Sequence, residues 1–391
     1  MLLVATTVLV ILGLLAVYSA SFAVGYREYG DTNYFVARQA IFALVGLLAM
    51  VAFMRLDYVR LRALSVPLLA LALLGLLLVL VPGIGVERNG ASRWLAFGPV
   101  SLQPSEFAKL AVIIYISAWL ASRGQQIHRF SLGFVPFVLL LGVVGGLIMA
   151  EPDMGTTLVI LLAASTLFFV AGAPLTHLGL LIAVGGAISY FVVTQRDYQL
   201  DRLVSFMDPE SDPQGVGFQI LQLLIALGSG GPVGLGWSES RQKFFYVPGS
   251  HTDGVFAILG EELGFVGLLA ILALFGFFIY RALRMTVRSR DRFAVLLGIG
   301  ISSWIAYQTL INIGGITRTI PLTGVPLPFL SYGGSSLIMV LAAVGVLLSI
   351  SRYNSDATFL ERERMASRGP RGSGRRPSAA RRRPTYGRYG A

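Results

Sequence analysis

Ten apolar runs dominate the chain, at roughly 2–22, 38–54, 63–82, 105–122, 134–150, 154–172, 175–193, 254–280, 293–315 and 333–351. About 20 apolar residues suffice for a helix to cross a bilayer, so each run predicts a transmembrane helix. The fifth and sixth runs are separated only by Glu151-Pro152-Asp153, and the sixth and seventh meet at Gly172-Ala173-Pro174. An even number of spans puts both termini on one side. Between the seventh and eighth runs lies a long segment, about 194–253. Segments of this length are usually functional or disordered, and this one is not low-complexity. Its stretch "GFQILQLLIALG" predicts a short amphipathic or re-entrant helix, capped by the glycines that follow. Non-helical backbone at membrane depth is tolerated where it lines a wet cavity, so a cavity open to the outer face is expected here. The predicted fold is an all-α polytopic membrane protein. It has ten transmembrane helices over residues 1–355 and a long extracytoplasmic loop between helices 7 and 8.

Composition and charge add sidedness. The chain is 55% hydrophobic and 13% charged, with a mean hydropathy of +0.73, whereas soluble domains carry about 25% charged residues. Cysteine is absent, which excludes disulfides, thiolate metal sites and a cysteine nucleophile. His128, His177 and His251 are too few and scattered for a histidine-rich metal cage. With the N-terminus inside, the inner loops hold Arg55, Arg60, Arg62, Arg123, Arg129, Arg281, Arg284, Arg288, Arg290 and Arg292. The arginine-rich end of the chain joins them. That bias predicts cytoplasmic termini, and the net charge of +11 then reports topology rather than a nucleic-acid partner. Residues 2–22 lack a basic leader and exceed the roughly 7–15 residues of a signal-peptide core, so a retained helix is expected. Residues 356–391, rich in Arg, Gly, Pro and Ser, predict a disordered cytoplasmic tail. It would lie as a polybasic strip on anionic lipid or recruit a cytoplasmic partner.

Ionisable groups concentrate in "RQKFFYVPGSHTDGVFAILGEELG", residues 241–264. At a membrane boundary such groups must be paired, hydrated or used. Asp253 is the leading candidate, since it sits where a polar loop meets an apolar helix; its plainer reading is a helix N-cap. Glu106 and Lys109 fall one turn apart and can pair on one helix face. Arg93 offers a forked donor suited to phosphate oxygens or is a solvated loop charge. Glu151 and Asp153 flank Pro152 and can meet sugar hydroxyls, a cation, Lys109 and Arg93, or water. One of Glu261 and Glu262 is expected to pair with Arg241, Lys243 or Arg318, because two adjacent carboxylates cannot face lipid. His251 reads as an orienting hydrogen-bond partner. Asn312, Ser331, Ser335 and Ser336 read as interhelical contacts or substrate hydrogen bonds.

Five stretches carry a resemblance: "GASRWLAFGPVSLQPSEFAKL" (90–110), "EPDMGTT" (151–157), "MDPESDPQGVGFQ" (207–219), "SRQKFFYVPGSHTDGVFAILGEELG" (240–264) and "PLTGVPLPFLSYGGSS" (321–336). In this order, on ten spans, they resemble the SEDS family (shape, elongation, division and sporulation), and its division branch more than its elongation branch. The chain departs from the pattern at Gly249-Ser250, Gly254 and Arg318. The resemblance implies a peptidoglycan glycosyltransferase that polymerises lipid II at the outer face of the bacterial cytoplasmic membrane. It also implies a class B penicillin-binding protein and other divisome membrane proteins as partners, with Asp253 as the essential aspartate. Such chemistry needs a base for the acceptor hydroxyl, positive charge for the departing diphosphate and a greasy groove for polyprenyl chains. Asp253 can serve as the base or hold a divalent cation, Mg or Mn, against the diphosphate. Arg93, Glu106, Lys109, Glu151, Asp153, Lys243, His251, Ser331 and Ser335 are the candidate substrate contacts. A lipid II flippase and a non-catalytic divisome scaffold are the rival readings. Partner contact is expected at the outer ends of the eighth and ninth spans and in the long loop.

Overall fold

The computed structural model describes residues 1–88, 91–98, 100–194 and 197–367. Every apolar run becomes a helix: α1 (Leu2–Tyr29), α2 (Tyr34–Arg55), α4 (Ser65–Val79), α5 (Pro104–Arg123), α6 (Val135–Ala150), α7 (Met154–Val170), α8 (Leu175–Thr194), α11 (Val255–Thr286), α12 (Arg292–Ile316) and α13 (Gly334–Ser367). Three others are short: α3 (Tyr58–Ala63), α9 (Asp197–Met207) and α10 (Phe218–Ser229). Seven described helices are long and apolar enough to cross a membrane, while α4, α7, α10 and the first part of α8 are apolar but shorter. Helix α10 is the element expected from "GFQILQLLIALG", and Gly230 is its C-cap. Helix α13 runs to Ser367, past the expected boundary near residue 355. The rest of the basic tail lies outside the described residues.

Polar content decides which helices are central. Helix α5 carries Glu106, Lys109 and Ser117, and α12 carries Ser302, Gln308 and Asn312, all of them buried. Such groups cannot face acyl chains without a large penalty. Accordingly the apolar windows of α5 and α12 are 72% and 67% buried, against 22% for α11. Helix α5 packs among α4, α7 and α12, while α2 lies along α13. Helix α11 instead exposes Phe265, Val266, Leu269 and Phe277, side chains that lipid or another apolar helix can cover.

The all-α expectation fails between α4 and α5. A three-stranded antiparallel sheet forms there from β1 (Gly85–Arg88), β2 (Ala91–Phe97) and β3 (Val100–Leu102), in the order β1-β2-β3. Val86 faces Trp94 and Leu95 faces Leu102, with an irregularity between Val86 and Glu87. These strands are too short to show a period-2 pattern against a greasy background. Asn89-Gly90, a hairpin dipeptide, was the available signal. The sheet leads directly into Pro104, which occupies the first turn of α5, where its missing N–H is harmless.

Helix α11 is interrupted at Gly264, whose backbone (φ 67°, ψ −171°) is not helical. A break inside an apolar helix frees peptide groups that must find partners. The glycine-rich segment 230–236 supplies them. Leu235 N donates to Glu261 O (2.9 Å), Gly236 N to Glu262 O (3.1 Å), Phe265 N to Gly231 O (2.9 Å) and Val266 N to Pro232 O (3.0 Å). Only glycine fits at the crossing, because a Cβ on Gly264 would lie 2.2 Å from Gly234 N. The long loop is therefore built into α11 rather than draped over it.

Candidate functional site

Asp253 closes a tight turn just before α11. Thr252 N and Gly254 N both donate to Gly249 O (2.9 and 3.0 Å), and Thr252 Oγ1 donates to Asp253 Oδ1 (3.0 Å). Gly249 has φ +67°, and a Cβ there would lie 2.5 Å from Asp253 Oδ1. The N-cap position of α11 falls on Gly254, one residue past Asp253. A Cβ on Gly254 would meet Val247 Cγ1 at 3.0 Å and Gly249 O at 3.1 Å. Two of the three departures from the family pattern thus shape the turn that carries Asp253.

The rest of the site comes from distant elements. Asn312 of α12 donates through Nδ2 to Asp253 O (3.0 Å) and Val325 O (2.8 Å), which locks the turn to segment 317–333. Arg202 of α9 donates through Nη1 to Leu322 O (2.8 Å). The Arg202 guanidinium and Asp253 Oδ2 face the same point: a Cβ on Gly324 would lie 3.6 Å from Arg202 Nη2 and 3.8 Å from Asp253 Oδ2. Asp253 is half-buried. Burial pushes its carboxyl above the usual value, while the Thr252 hydroxyl and the Arg202 charge pull it down. A carboxylate made more basic by burial can accept a proton, and the cation that faces it balances its charge until it does.

The orienting hydrogen bond expected of His251 is made by its backbone. Its ring packs on Phe35 and Tyr332, with centroids 4.5 and 5.6 Å away, and Nδ1 has no hydrogen-bond partner. Burial lowers its pKa to about 4, so it is neutral. Its carbonyl does the orienting, by accepting from Tyr332 N at 2.8 Å.

Several other candidates are brought to protein partners rather than to Asp253. Lys109 Nζ is buried, donating to Glu106 Oε1 (2.7 Å) and Gln308 Oε1 (2.9 Å). Gln308 in turn donates to Pro326 O (2.9 Å), so the pair braces segment 317–333 from below. Lys243 is likewise held by protein partners. It has no exposure, and Nζ is saturated by Glu262 Oε1 (2.9 Å), Ser238 O (2.6 Å), Ser238 Oγ (3.3 Å) and Ser19 Oγ (3.3 Å). Glu261 accepts from the backbone N–H groups of Arg241 (3.0 Å) and Gln242 (3.2 Å) and from the Ser240 hydroxyl. Both adjacent carboxylates therefore pin the approach to Asp253.

Arg93, Glu151, Asp153 and Ser335 belong to a second, connected group. Arg93 Nε donates to Glu151 O (2.9 Å) and Nη2 to Pro152 O, so two of the guanidinium's N–H groups hold the hairpin backbone. Asp153 N-caps α7 through Thr156 N (3.0 Å) and accepts from Gln103 Nε2 (3.4 Å). Ser335 Oγ accepts from Gln103 N (3.1 Å), and Ser331 Oγ accepts from Leu327 N (2.8 Å). Both serines therefore hold backbone. Sequence reasoning missed Arg202, Thr252 and Gln308. Arg202 lies in a segment read as loop, and only the amphipathic pattern of "DYQLDRLVSFM" could have placed it on a helix.

The residues around Asp253 do not suit a divalent cation by themselves. Mg and Mn favour several oxygen donors, whereas Asp253 is one carboxylate facing a guanidinium. Among the described residues, no three His, Asp or Glu side chains are arranged to hold a metal.

The family model describing cell cycle proteins of the FtsW, RodA and SpoVE type matches residues 1–356. Stage V sporulation protein E of Bacillus subtilis is 43% identical over 354 residues, covering 90% of this chain and 97% of its own. A protein of Trichlorobacter lovleyi named Probable peptidoglycan glycosyltransferase FtsW is 41% identical, covering 87% of this chain and 89% of its own. Among solved structures, a chain from a peptidoglycan synthase complex, described as coordinating polymerization and crosslinking, superposes with a TM-score of 0.73 at 30% identity. It covers 90% of this chain and 97% of that one. The rod shape determining protein RodA of Thermus thermophilus superposes with a TM-score of 0.67 at 29% identity, covering 90% and 96%.

Proposed function

The chain belongs to the FtsW/RodA/SpoVE family of cell cycle proteins, and we propose that it is a peptidoglycan glycosyltransferase of the division branch. It polymerises lipid II into glycan strands at the outer face of the cytoplasmic membrane. The observation that carries this reading is the half-buried Asp253 carboxylate, faced by Arg202 at the head of α11. Asp253 takes the proton from the acceptor sugar hydroxyl as its oxygen attacks the donor's anomeric carbon. The bond from that carbon to the diphosphate breaks, and the lipid diphosphate leaves with the electron pair. Arg202 offsets the negative charge at the site. Such preorganised charge costs no rearrangement when the reaction occurs.

The reading also sets a topology and a partner. The ten helices formed by the apolar runs cross the membrane, the termini are cytoplasmic, and the segments around 83–104, 151–153, 194–253 and 317–333 lie outside. A class B penicillin-binding protein supplies cross-linking. Its membrane helix covers the apolar face of α11 that bears Phe265, Val266 and Leu269.

The test uses the purified protein with its penicillin-binding partner and labelled lipid II in liposomes. Asp253→Asn should reduce polymer by about 100-fold or more, within the range for a lost general base, while folding and partner binding persist. An undiminished rate in this variant would end the assignment. Lipid translocation without polymer would mark a flippase. An intact complex with neither activity would mark a scaffold.

A further inference from the structure

We propose that Arg318 is a positioning residue: it clamps the C-terminus of α9 and thereby holds the Arg202 guanidinium against Asp253. The inference rests on the glycosyltransferase reading for its activity readout and on the fold for its geometry.

Arg318 stands just past the end of α12 with φ +54°, a left-handed conformation that residues with a Cβ disfavour. Thr319 N and Ile320 N, both donating to Gly314 O (2.8 and 3.1 Å), hold the chain in this reversal. The reversal sends the side chain toward α9. Nε donates to Phe206 O (2.9 Å) and Nη2 to Met207 O (2.8 Å). These are the last two carbonyls of α9, which no later amide of the helix can satisfy. A cation there also meets the negative end of the helix dipole. The planar fork suits two adjacent acceptors in a way a lysine ammonium does not.

The two arginines bind the same two elements in opposite directions. Arg202 reaches from α9 to Leu322 O, and Arg318 reaches from segment 317–333 back to α9. Arg202 and Phe206 are four residues apart, on one face of the helix. Slippage of α9 by one residue would shift Arg202 by about 1.5 Å and turn it by about 100°, enough to remove it from Asp253. An outlying backbone conformation that places a side chain on a functional element is the kind of feature from which a role can be inferred. The Arg202 charge bears on the Asp253 carboxyl, and His251 in the same turn is neutral.

The test places Arg318→Ala, Arg318→Gly and Arg318→Lys in the full chain with its partner, each with Arg202 intact and with Arg202→Gln. Expected results are a fall in kcat of about 10- to 100-fold for Arg318→Ala, as small misplacements produce, with little change in KM. Arg318→Lys should recover part of it. Arg318→Gly, which relieves the backbone, should melt no lower than wild type yet polymerise as slowly as the alanine variant. The acid limb of the pH–rate profile should move to higher pH as the Arg202 charge leaves Asp253. Neither Arg318→Ala nor Arg318→Gly should slow the Arg202→Gln protein further, because coupled residues are non-additive. Amide exchange across 197–207 should quicken in both. Additive effects in the two backgrounds, or unchanged exchange in α9, would overturn the proposal. If Asp253→Asn and Arg202→Gln leave polymerisation intact, the glycosyltransferase reading fails instead, and exchange in α9 still decides the clamp.

Discussion

Glu151 shows what one residue contributes when no partner meets it. Its side chain is fully buried, and neither carboxyl oxygen has a hydrogen-bond partner. Arg93 lies beside it but donates through Nε and Nη2 to the carbonyls of Glu151 and Pro152. Burial raises the Glu151 pKa to about 8, the Asp153 charge adds to the rise, and Arg93 opposes it. The folded protein therefore holds a proton that the unfolded chain releases near the ordinary glutamate value, about 4.3. Between those two values the native state binds more protons, so stability falls as pH rises. The loss from this group is complete above the folded pKa. Glu151→Gln should flatten the dependence: melting of the variant in detergent should decline less than wild type between pH 5 and pH 8.5. An equal decline in both proteins would show that Glu151 is not the group responsible. Tuning by burial, opposed by a guanidinium, is shared with Asp253, but there the Thr252 hydroxyl restrains it as well.

At the scale of elements, the long loop and α11 form one unit. Glu262 and Lys243 make a buried ion pair (2.9 Å) that also takes in Ser19 of α1. Breaking one side of such a pair strands a charge and costs about 3–5 kcal/mol, whereas replacing both by apolar groups is often neutral. Lys243→Ala should therefore destabilise the protein by about 3–5 kcal/mol. Lys243→Met combined with Glu262→Leu should recover most of that loss, as measured by thermal unfolding in detergent. Equal destabilisation by single and double variants would mean the pair acts through more than its charges. The same unit shows what a sequence can reveal. Long apolar runs announce their helices because lipid permits nothing else. The three strands before α5 were hidden, since a strand needs only a few residues and its pairing is not local. Asp253 was legible as a lone acid at a helix mouth. Arg202 was not, because the carbonyl it binds, Leu322, lies 120 residues away. Lys243 had the right charge for a diphosphate, but only coordinates show its ammonium buried against Glu262, Ser238 and Ser19.

At the scale of the whole molecule, the absence of cysteine makes the proposed sidedness easy to test. Single cysteines introduced at Tyr246 and Ser289 should react with impermeant maleimide from opposite sides of intact cells or vesicles, with Tyr246 labelled from outside. Labelling of both from one face would contradict the ten-span topology. Tyr246 is 55% exposed in the loop before Asp253, and Ser289 follows the far end of α11. That helix also carries the molecule's most consequential irregularity. The stretch before the Gly264 break, residues 255–263, accepts hydrogen bonds from segment 230–236 at Glu261 O and Glu262 O. The first turns of α11 and segment 230–236 therefore behave as one rigid block, with Asp253 at its end. A side chain forced into the Gly264 crossing would displace Asp253 together with its Asn312 anchor.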